Sequence, residues 1–391
     1  MTWACDALLT WGGFAALPGC ATTVCMTVRP LSAIVLAAGH GTRMRSARPK
    51  PLHLLVGRPL VRHVLDALAD CDVDRAVVVV GHGAEVVTKK LQEDMGPFPL
   101  EFVEQHYQRG TGDAVAVGLT GLPDDDLDET EDGDVLVLPG DTPLLRPTTI
   151  AELVAEHQLS GAACTVLTAQ LADPTGYGRV VRDKDGRVRR IVEQRDADEA
   201  QRAIDEINTG IFVFRRSLLA PALRRLTPDN SQGELYVTDV VEVLADAGYQ
   251  VVATMAADAD ETHGVNDRAQ LARAEAELRW RINERWMHLG VTIVDPSATY
   301  IDADVVLATD VTLWPGTVLR GQTYVEHGAE IGPATDLVDS RVGDGARVFR
   351  SVGVQADVGD NAVVGPYAVL SPGDRIAPGT RTPPFYAAGD V

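Results

Sequence analysis

From Ile301 onward the chain places one aliphatic residue every six positions: Ile301, Leu307, Leu313, Leu319, Val325, Ile331 and Leu337. The rhythm slips at Val342, then resumes through Val352, Val358, Val364, Leu370 and Ile376, with Gly332, Gly343, Gly359 and Gly365 directly after several of these or near them. Few folds can use that spacing. An amphipathic helix repeats about every 3.6 residues and a strand about every two, so neither holds an aliphatic side chain on one face at a period of six. A parallel β-helix does, because each short strand sends one aliphatic side chain inward before the chain turns a corner. Residues 291–391 are therefore expected to form a parallel β-helix of about four coils.

Ahead of it the pattern is different. From Pro30 to about Val252, strand-like apolar runs alternate with amphipathic helical stretches, which implies an α/β domain with a mostly parallel sheet. Leu31–Leu36 opens it, Val77–Val80 repeats the form before Gly81-His82-Gly83, Phe102 and Val103 lead into Glu104-Gln105, and Val135–Leu138 leads into Pro139-Gly140-Asp141. Leu60 to Leu68 reads as a helix with Leu60, Val61, Val64, Leu65 and Leu68 on one face. In open α/β sheets the ligand sits beyond the carboxyl ends of the strands, where these polar residues fall. Arg268 to Leu289 is expected to be a helix bridging two domains, with Leu271, Ala274, Leu278, Ile282 and Trp286 at spacings of three and four. The expected plan is an extension over 1–29, an α/β domain over 30–262, a linker helix over 263–290 and the coils over 291–391.

The first strand breaks abruptly into Gly39-His40-Gly41-Thr42-Arg43-Met44, with Pro49-Lys50 just beyond. Such a turn suits a phosphate: glycines let the backbone N–H groups approach an anion, and Arg43 and Lys50 supply charge. A structural salt bridge is the competing use for each of those cations. The dinucleotide fingerprint does not fit, because Met44 stands where its third glycine would be, and there is no Gly-Lys-Ser/Thr ending for a P-loop. Asp141, after an apolar strand, can hold Mg²⁺, though Asp before proline is also ordinary turn chemistry.

Composition narrows the partners. The net charge of −21 argues against nucleic acid and anionic membranes, which are bound through clustered Lys and Arg, so an anionic substrate must be met by a local cluster or a metal ion. No apolar run reaches the length of a membrane span. The 5 cysteines, odd in number and without metal-ligand spacing, suggest no disulfide framework and fit a reducing cytoplasm. Residues 1–25 contain no Lys or Arg and so lack the basic start of a secretory signal; they are expected to be a non-functional extension, with Met26 as the real start. The acidic run from Pro123 to Asp134 is expected to be a solvated loop, since it lacks the ligand order of a calcium loop.

Leu36-Ala37-Ala38-Gly39-x-Gly41-Thr42-Arg43-Met44, followed by Pro49-Lys50-x-Leu52-His53, resembles the signature of the sugar-phosphate nucleotidyltransferases. Over about residues 31–380 the likeness is to the uridyltransferase half of the bacterial bifunctional N-acetylglucosamine-1-phosphate uridyltransferase/glucosamine-1-phosphate acetyltransferase. That resemblance implies a Rossmann-like domain with a mostly parallel sheet, followed by a short left-handed β-helix of hexapeptide repeats. It implies Mg²⁺ as cofactor, UTP and N-acetylglucosamine 1-phosphate as partners, a homotrimer and a cytoplasmic location. It makes Arg43 and Lys50 catalytic, and places Leu36, Ala37, Ala38, Gly39, Gly41, Gln105, Gly110 and Thr111 against the nucleotide. Gly178, Glu193 and Asn208 match the sugar site; Asp141 and Asn266 match the metal pair, although Asn266 alone could equally cap the linker helix. Thr238 and Asp239 match as support for the fold. Two departures stand out: Asp113 replaces a histidine beside the nucleotide, and Leu370-Ser371-Pro372-Gly373 has serine where the acetyltransferase site has arginine. The expected activity is thus uridylyl transfer without acetyl transfer. The alternatives are another sugar phosphate or nucleotide, or, in a different class, a non-catalytic oligomeric scaffold. For assembly, Trp314, Tyr324, Phe349 and Tyr367 are candidate apolar contacts.

Overall fold

The computed structural model describes residues 29–93, 98–123 and 132–387. The amino-terminal extension up to residue 28 and residues 124–131 of the acidic run lie outside the described residues. The end of that run departs from a solvated loop. Asp132 accepts from the Ser217 hydroxyl at 2.5 Å, and Asp134 is fully buried, paired with Arg29 at 3.0 Å and with His157 at 3.3 Å.

The α/β domain is a nine-stranded sheet. In chain order it contains β1 (Leu31–Leu36), α1 (Leu60–Leu68), β2 (Arg75–Val80), α2 (Ala84–Glu93), β3 (Leu100–Glu104), α3 (Thr111–Leu119), β4 (Asp134–Pro139) and α4 (Pro147–Ser160). Then come β5 (Cys164–Gln170), β6 (Gly178–Arg182), β7 (Val188–Val192), α5 (Glu199–Arg202), β8 (Glu206–Arg215), α6 (Arg216–Leu223), α7 (Asp239–Asp246) and β9 (Val251–Met255). The main path runs β9-β5-β8-β4-β1-β2-β3, with β6 paired to β8 and β7. β1 lies parallel to both β2 and β4, while β8 runs antiparallel to β4 and β5. Strands β1, β2 and β4 are near-continuous apolar runs because both faces of the sheet are covered. On one face Val61, Val64, Leu65 and Leu68 of α1 pack with Val87, Leu91, Ile150 and Leu153; on the other Val115, Leu219, Val240 and Leu244 pack on Phe212 and Phe214. Cys71 and Cys164 are buried free thiols.

The long helix α8 (Arg268–His288) serves two cores. Leu271, Ala274 and Leu278 pack against Leu55, Leu60, Leu144 and Val265 of the α/β domain, whereas Ile282, Trp286 and Met287 pack on the coils that follow. The hairpin of Leu54–Leu55 and Arg58–Pro59 strengthens the joint. Val56 N–H donates to Glu275 of α8 at 2.8 Å, Ala303 N–H donates to the Val56 carbonyl at 2.9 Å, and Arg58 pairs with both Asp66 and Asp304.

The coils form three parallel sheets of five strands each, so the β-helix has five coils where the spacing alone suggested about four. Tyr300 faces Val318 and Thr312 faces Glu330, an 18-residue step that three six-residue sides require. Middle coils are shorter, with Asp336 facing Val352 at a 16-residue step, and the last returns to 18, with Asp357 facing Arg375. The shortening corrects one interior position. Leu337 stacks on Gly353, which is buried, and Val352 points outward at 46% exposure. Val342, where the rhythm slips, remains fully buried. Among the described residues no helix is long and apolar enough to cross a membrane.

Candidate active site

The chain steps from β1 outward to β2 and β3, then returns to the other side of β1 for β4. A reversal of strand order opens a crevice at the carboxyl ends of the strands on either side of it. There the structure has a cleft of about 410 Å³. Leu36, Ala37, Ala38, Gly39 and Lys50 line one part, Gln105, Gly110 and Thr111 a second, and Pro139, Gly140 and Asp141 a third; Glu193, Asn208 and Thr238 complete it.

Four segments far apart in sequence meet at the cleft's rim. Lys50 Nζ donates to the Asp141 carboxylate and, at 2.9 Å, to Asn266 Oδ1, and Arg43 Nη2 donates to the same Asn266 oxygen at 2.8 Å. Lys50 stands on a 3₁₀ turn (Lys50–Leu52) that Pro49 precedes. Gly41 backs onto it with φ +59°, and a Cβ there would lie 2.7 Å from Lys50 Cβ, so the glycine is required both by conformation and by space. Val265 N–H donates to the Asp141 carbonyl at 2.8 Å, which ties the approach to α8 to the strand-end turn. Asp267, not Asn266, caps α8, accepting from Gln270 N–H at 2.8 Å. Asn266 is thereby left to turn its amide oxygen to the two cations. Arg43 is itself exposed and, among the described residues, pairs with no carboxylate.

Asp141 and Asn266 offer hard oxygens to one positive group, the Lys50 ammonium, which is the donor chemistry that a Mg²⁺ ion uses. Among the described residues no group of three or more His, Cys, Asp or Glu is placed to hold a metal ion. The pair is thus a partial set, suited to an ion whose other ligands are phosphate oxygens and waters, as is usual for Mg²⁺.

On the second wall, Gln105 is almost wholly buried, and its Nε2 donates to Asp113 Oδ2 at 2.8 Å and to the Gly110 carbonyl at 3.3 Å. Gly110 has φ +110°, and a Cβ there would lie 2.4 Å from the Leu235 carbonyl oxygen. Thr111 opens α3, whose first-turn N–H groups lack partners within the helix. The Thr111 hydroxyl accepts from Val237 N–H at 3.0 Å, and Gln108 Nε2 donates to the Ala38 carbonyl at 2.6 Å.

At the far side, Glu193 Oε1 accepts from the Thr238 hydroxyl at 3.2 Å. Burial holds its carboxyl above the ordinary range; the Thr238 bond opposes that rise, and Asp239 and Asp196 add to it. Gly178 lies behind Glu193, where a Cβ would approach Oε1 to 3.4 Å. Asn208 Oδ1 accepts from Gly210 N–H at 3.0 Å, which sets the orientation of the amide.

Most of the residues singled out from the sequence therefore share this cleft. Gly41, Arg43, Gly178 and Asn266 do not line it but adjoin residues that do or, for Arg43, Asn266 at the rim. Gln108, Gly210, Glu234 and Val237 also line it and were missed, and Thr238 is part of the wall as well as the fold. Gln108 follows Gln105 by three residues in the same segment, the only signal that it offered.

The nucleotidyl transferase family matches residues 32–292, which takes in nearly all of the α/β domain and the whole of α8. The chain is similar to Bifunctional protein GlmU of Thermobifida fusca, with 47% identity over 84% of this chain and 67% of that protein. Bifunctional protein GlmU of Streptomyces avermitilis is 49% identical over 84% of this chain and 67% of its own length, and that of Brevibacillus brevis 48% identical over 83% and 68%. The chain spans about two thirds of the length of these curated relatives.

Proposed function

The chain belongs to the nucleotidyl transferase family, as a sugar-phosphate nucleotidyltransferase of the GlmU type, and on that premise we propose that it transfers a uridylyl group from UTP to N-acetylglucosamine 1-phosphate. The products are UDP-N-acetylglucosamine and pyrophosphate. The observation that carries this reading is the meeting of Lys50, Asp141, Asn266 and Arg43 at the mouth of the strand-end cleft. A scaffold has no use for such a cluster of cations and hard oxygens.

In the reaction a phosphate oxygen of the sugar 1-phosphate attacks the α-phosphorus of UTP in line. The bond from that phosphorus to the oxygen bridging the α- and β-phosphates breaks, and pyrophosphate leaves with the electron pair; no covalent enzyme intermediate is needed. The work left to the protein is positioning two anions and neutralising charge on the phosphate oxygens. Lys50 and the turn at Gly39 hold the triphosphate, with Gly41 behind Lys50 and Arg43 adding charge at the rim. Asp141 and Asn266 are the residues that would hold Mg²⁺, which would supply neutralisation of phosphate charge. Gln105, Gly110 and Thr111 take the base, and Glu193 and Asn208 take the hydroxyl and acetamido groups of the sugar. Ser371 stands where the family's acetyltransferase site has arginine, and the reading gives this chain uridylyl transfer alone.

Lys50→Ala and Asp141→Ala test the cluster. Each should lower kcat by roughly 10²–10³-fold, about 2.7–4 kcal/mol in the barrier, while thermal melting still shows a folded protein. Turnover close to wild type in either variant would remove that residue from the mechanism.

A further inference from the structure

We propose that Asp113 is the positioning residue that sets which base the cleft accepts, by fixing the polarity of the Gln105 amide. This rests on reading the cleft as the site of a pyrimidine nucleoside triphosphate.

Gln105 can present either the donor or the acceptor end of its amide to a ligand, and its surroundings decide which. Here both candidate partners of Nε2 are acceptors: Asp113 Oδ2 at 2.8 Å and the Gly110 carbonyl at 3.3 Å. An ionised carboxylate accepts and cannot donate, and neither can a carbonyl, so the reverse orientation would set the amide oxygen against two other oxygens. Asp113 is itself held in place. Its side chain is 9% exposed, it lies in the first turn of α3, and its other oxygen pairs with Arg109 Nη2 at 3.1 Å. Both N–H bonds of Gln105 are therefore committed inside the protein. What remains for a ligand is Oε1, an acceptor.

A base edge set against Oε1 must donate. Uracil does so through N3–H, and its flanking carbonyl oxygens can accept from first-turn N–H groups of α3 other than that of Gly112, which donates to the Leu235 carbonyl at 2.7 Å. Cytosine carries a bare N3 acceptor at that point, which repels an amide oxygen. A site whose buried polar groups are left unpaired by the wrong ligand discriminates strongly.

Equilibrium binding of UTP, CTP and N3-methyluridine triphosphate, each with Mg²⁺, tests this without any need for turnover. The wild-type protein should bind CTP and the N3-methyl analogue at least tenfold more weakly than UTP. Asp113→Ala frees the amide to rotate and should narrow the UTP-to-CTP ratio by tenfold or more. Asp113→Asn, whose Oδ1 can replace the carboxylate oxygen, should keep the ratio and shows by its melting that the position tolerates change. A purely structural role would move all three ligands in parallel. Equal binding of UTP and the N3-methyl analogue by wild type, or an unchanged ratio in the Ala variant, would overturn the proposal. Failure of wild type to bind any of the three would overturn the nucleotide reading first, and this inference with it.

Discussion

Asp239, in the first turn of α7, carries a carboxyl pushed up to about 6 by burial, with Glu242 and Asp196 adding to the effect. The unfolded chain releases that proton near the ordinary carboxylate range, about pH 4. Between about pH 4 and pH 6 the folded state thus holds a proton that the unfolded chain has lost, and stability falls as pH rises through that window. Asp239→Asn removes the cost. The variant should melt at a higher temperature than wild type at pH 7.5, and the gap should close toward pH 4. An equal gap at both pH values would show that the carboxyl is not the cause. Asp141 was legible in the sequence because it follows an apolar run at a strand end, and Lys50 because it stands close in sequence to the glycine turn. The partner of Gln105 was not: its bond to Asp113 depends on how a loop enters a helix, and Asp113 read only as a departure from pattern. Asn266 was ambiguous for the same reason, since two adjacent polar residues precede α8 and only the structure shows that Asp267 is the cap.

Each short strand of the β-helix sends a single side chain inward, so a coil rests on three. Leu319 is fully buried between Ile301 and Leu337 in adjacent coils, so Leu319→Ala opens a cavity in a narrow core built from three inward side chains per coil. It should destabilise the protein by about 2–5 kcal/mol. Val352→Ala should change stability by no more than about 0.5 kcal/mol, because Val352 is on the outside. Chemical denaturation of both variants compares them, and a larger loss at Val352 would mean that the register is read wrongly. The hexapeptide spacing identified the type of element but misplaced this position, since the interior there runs Val348, Gly353, Val358, with steps of five on either side of Gly353, before the rhythm of six resumes at Val358. Helix α8 was legible in full, from a stripe of apolar residues long enough to serve two cores.

For the whole molecule, the alternation of strands and helices and the later period of six made both halves recognisable. The strand order and the insertion of antiparallel β8 between β4 and β5 were not, because pairing partners lie far apart in the chain. Assembly is a matter at this scale too. Tyr300, Val352 and Val369 project from one sheet of the coils, and Trp314, Tyr324 and Tyr367 are each at least 39% exposed. Burying such faces against further copies is favourable. A trimer is expected, and light scattering across a range of concentrations checks it; a monomeric mass throughout would leave the coils as a cap on the α/β domain. The most direct test of the account is pyrophosphate release by the purified chain, with Mg²⁺, for each of the four nucleoside triphosphates against a panel of sugar 1-phosphates. UTP with N-acetylglucosamine 1-phosphate should give the highest rate, with UDP-N-acetylglucosamine as product and activity lost on chelation of the metal. No release with any pair, or a tenfold preference for a different pair, would contradict it.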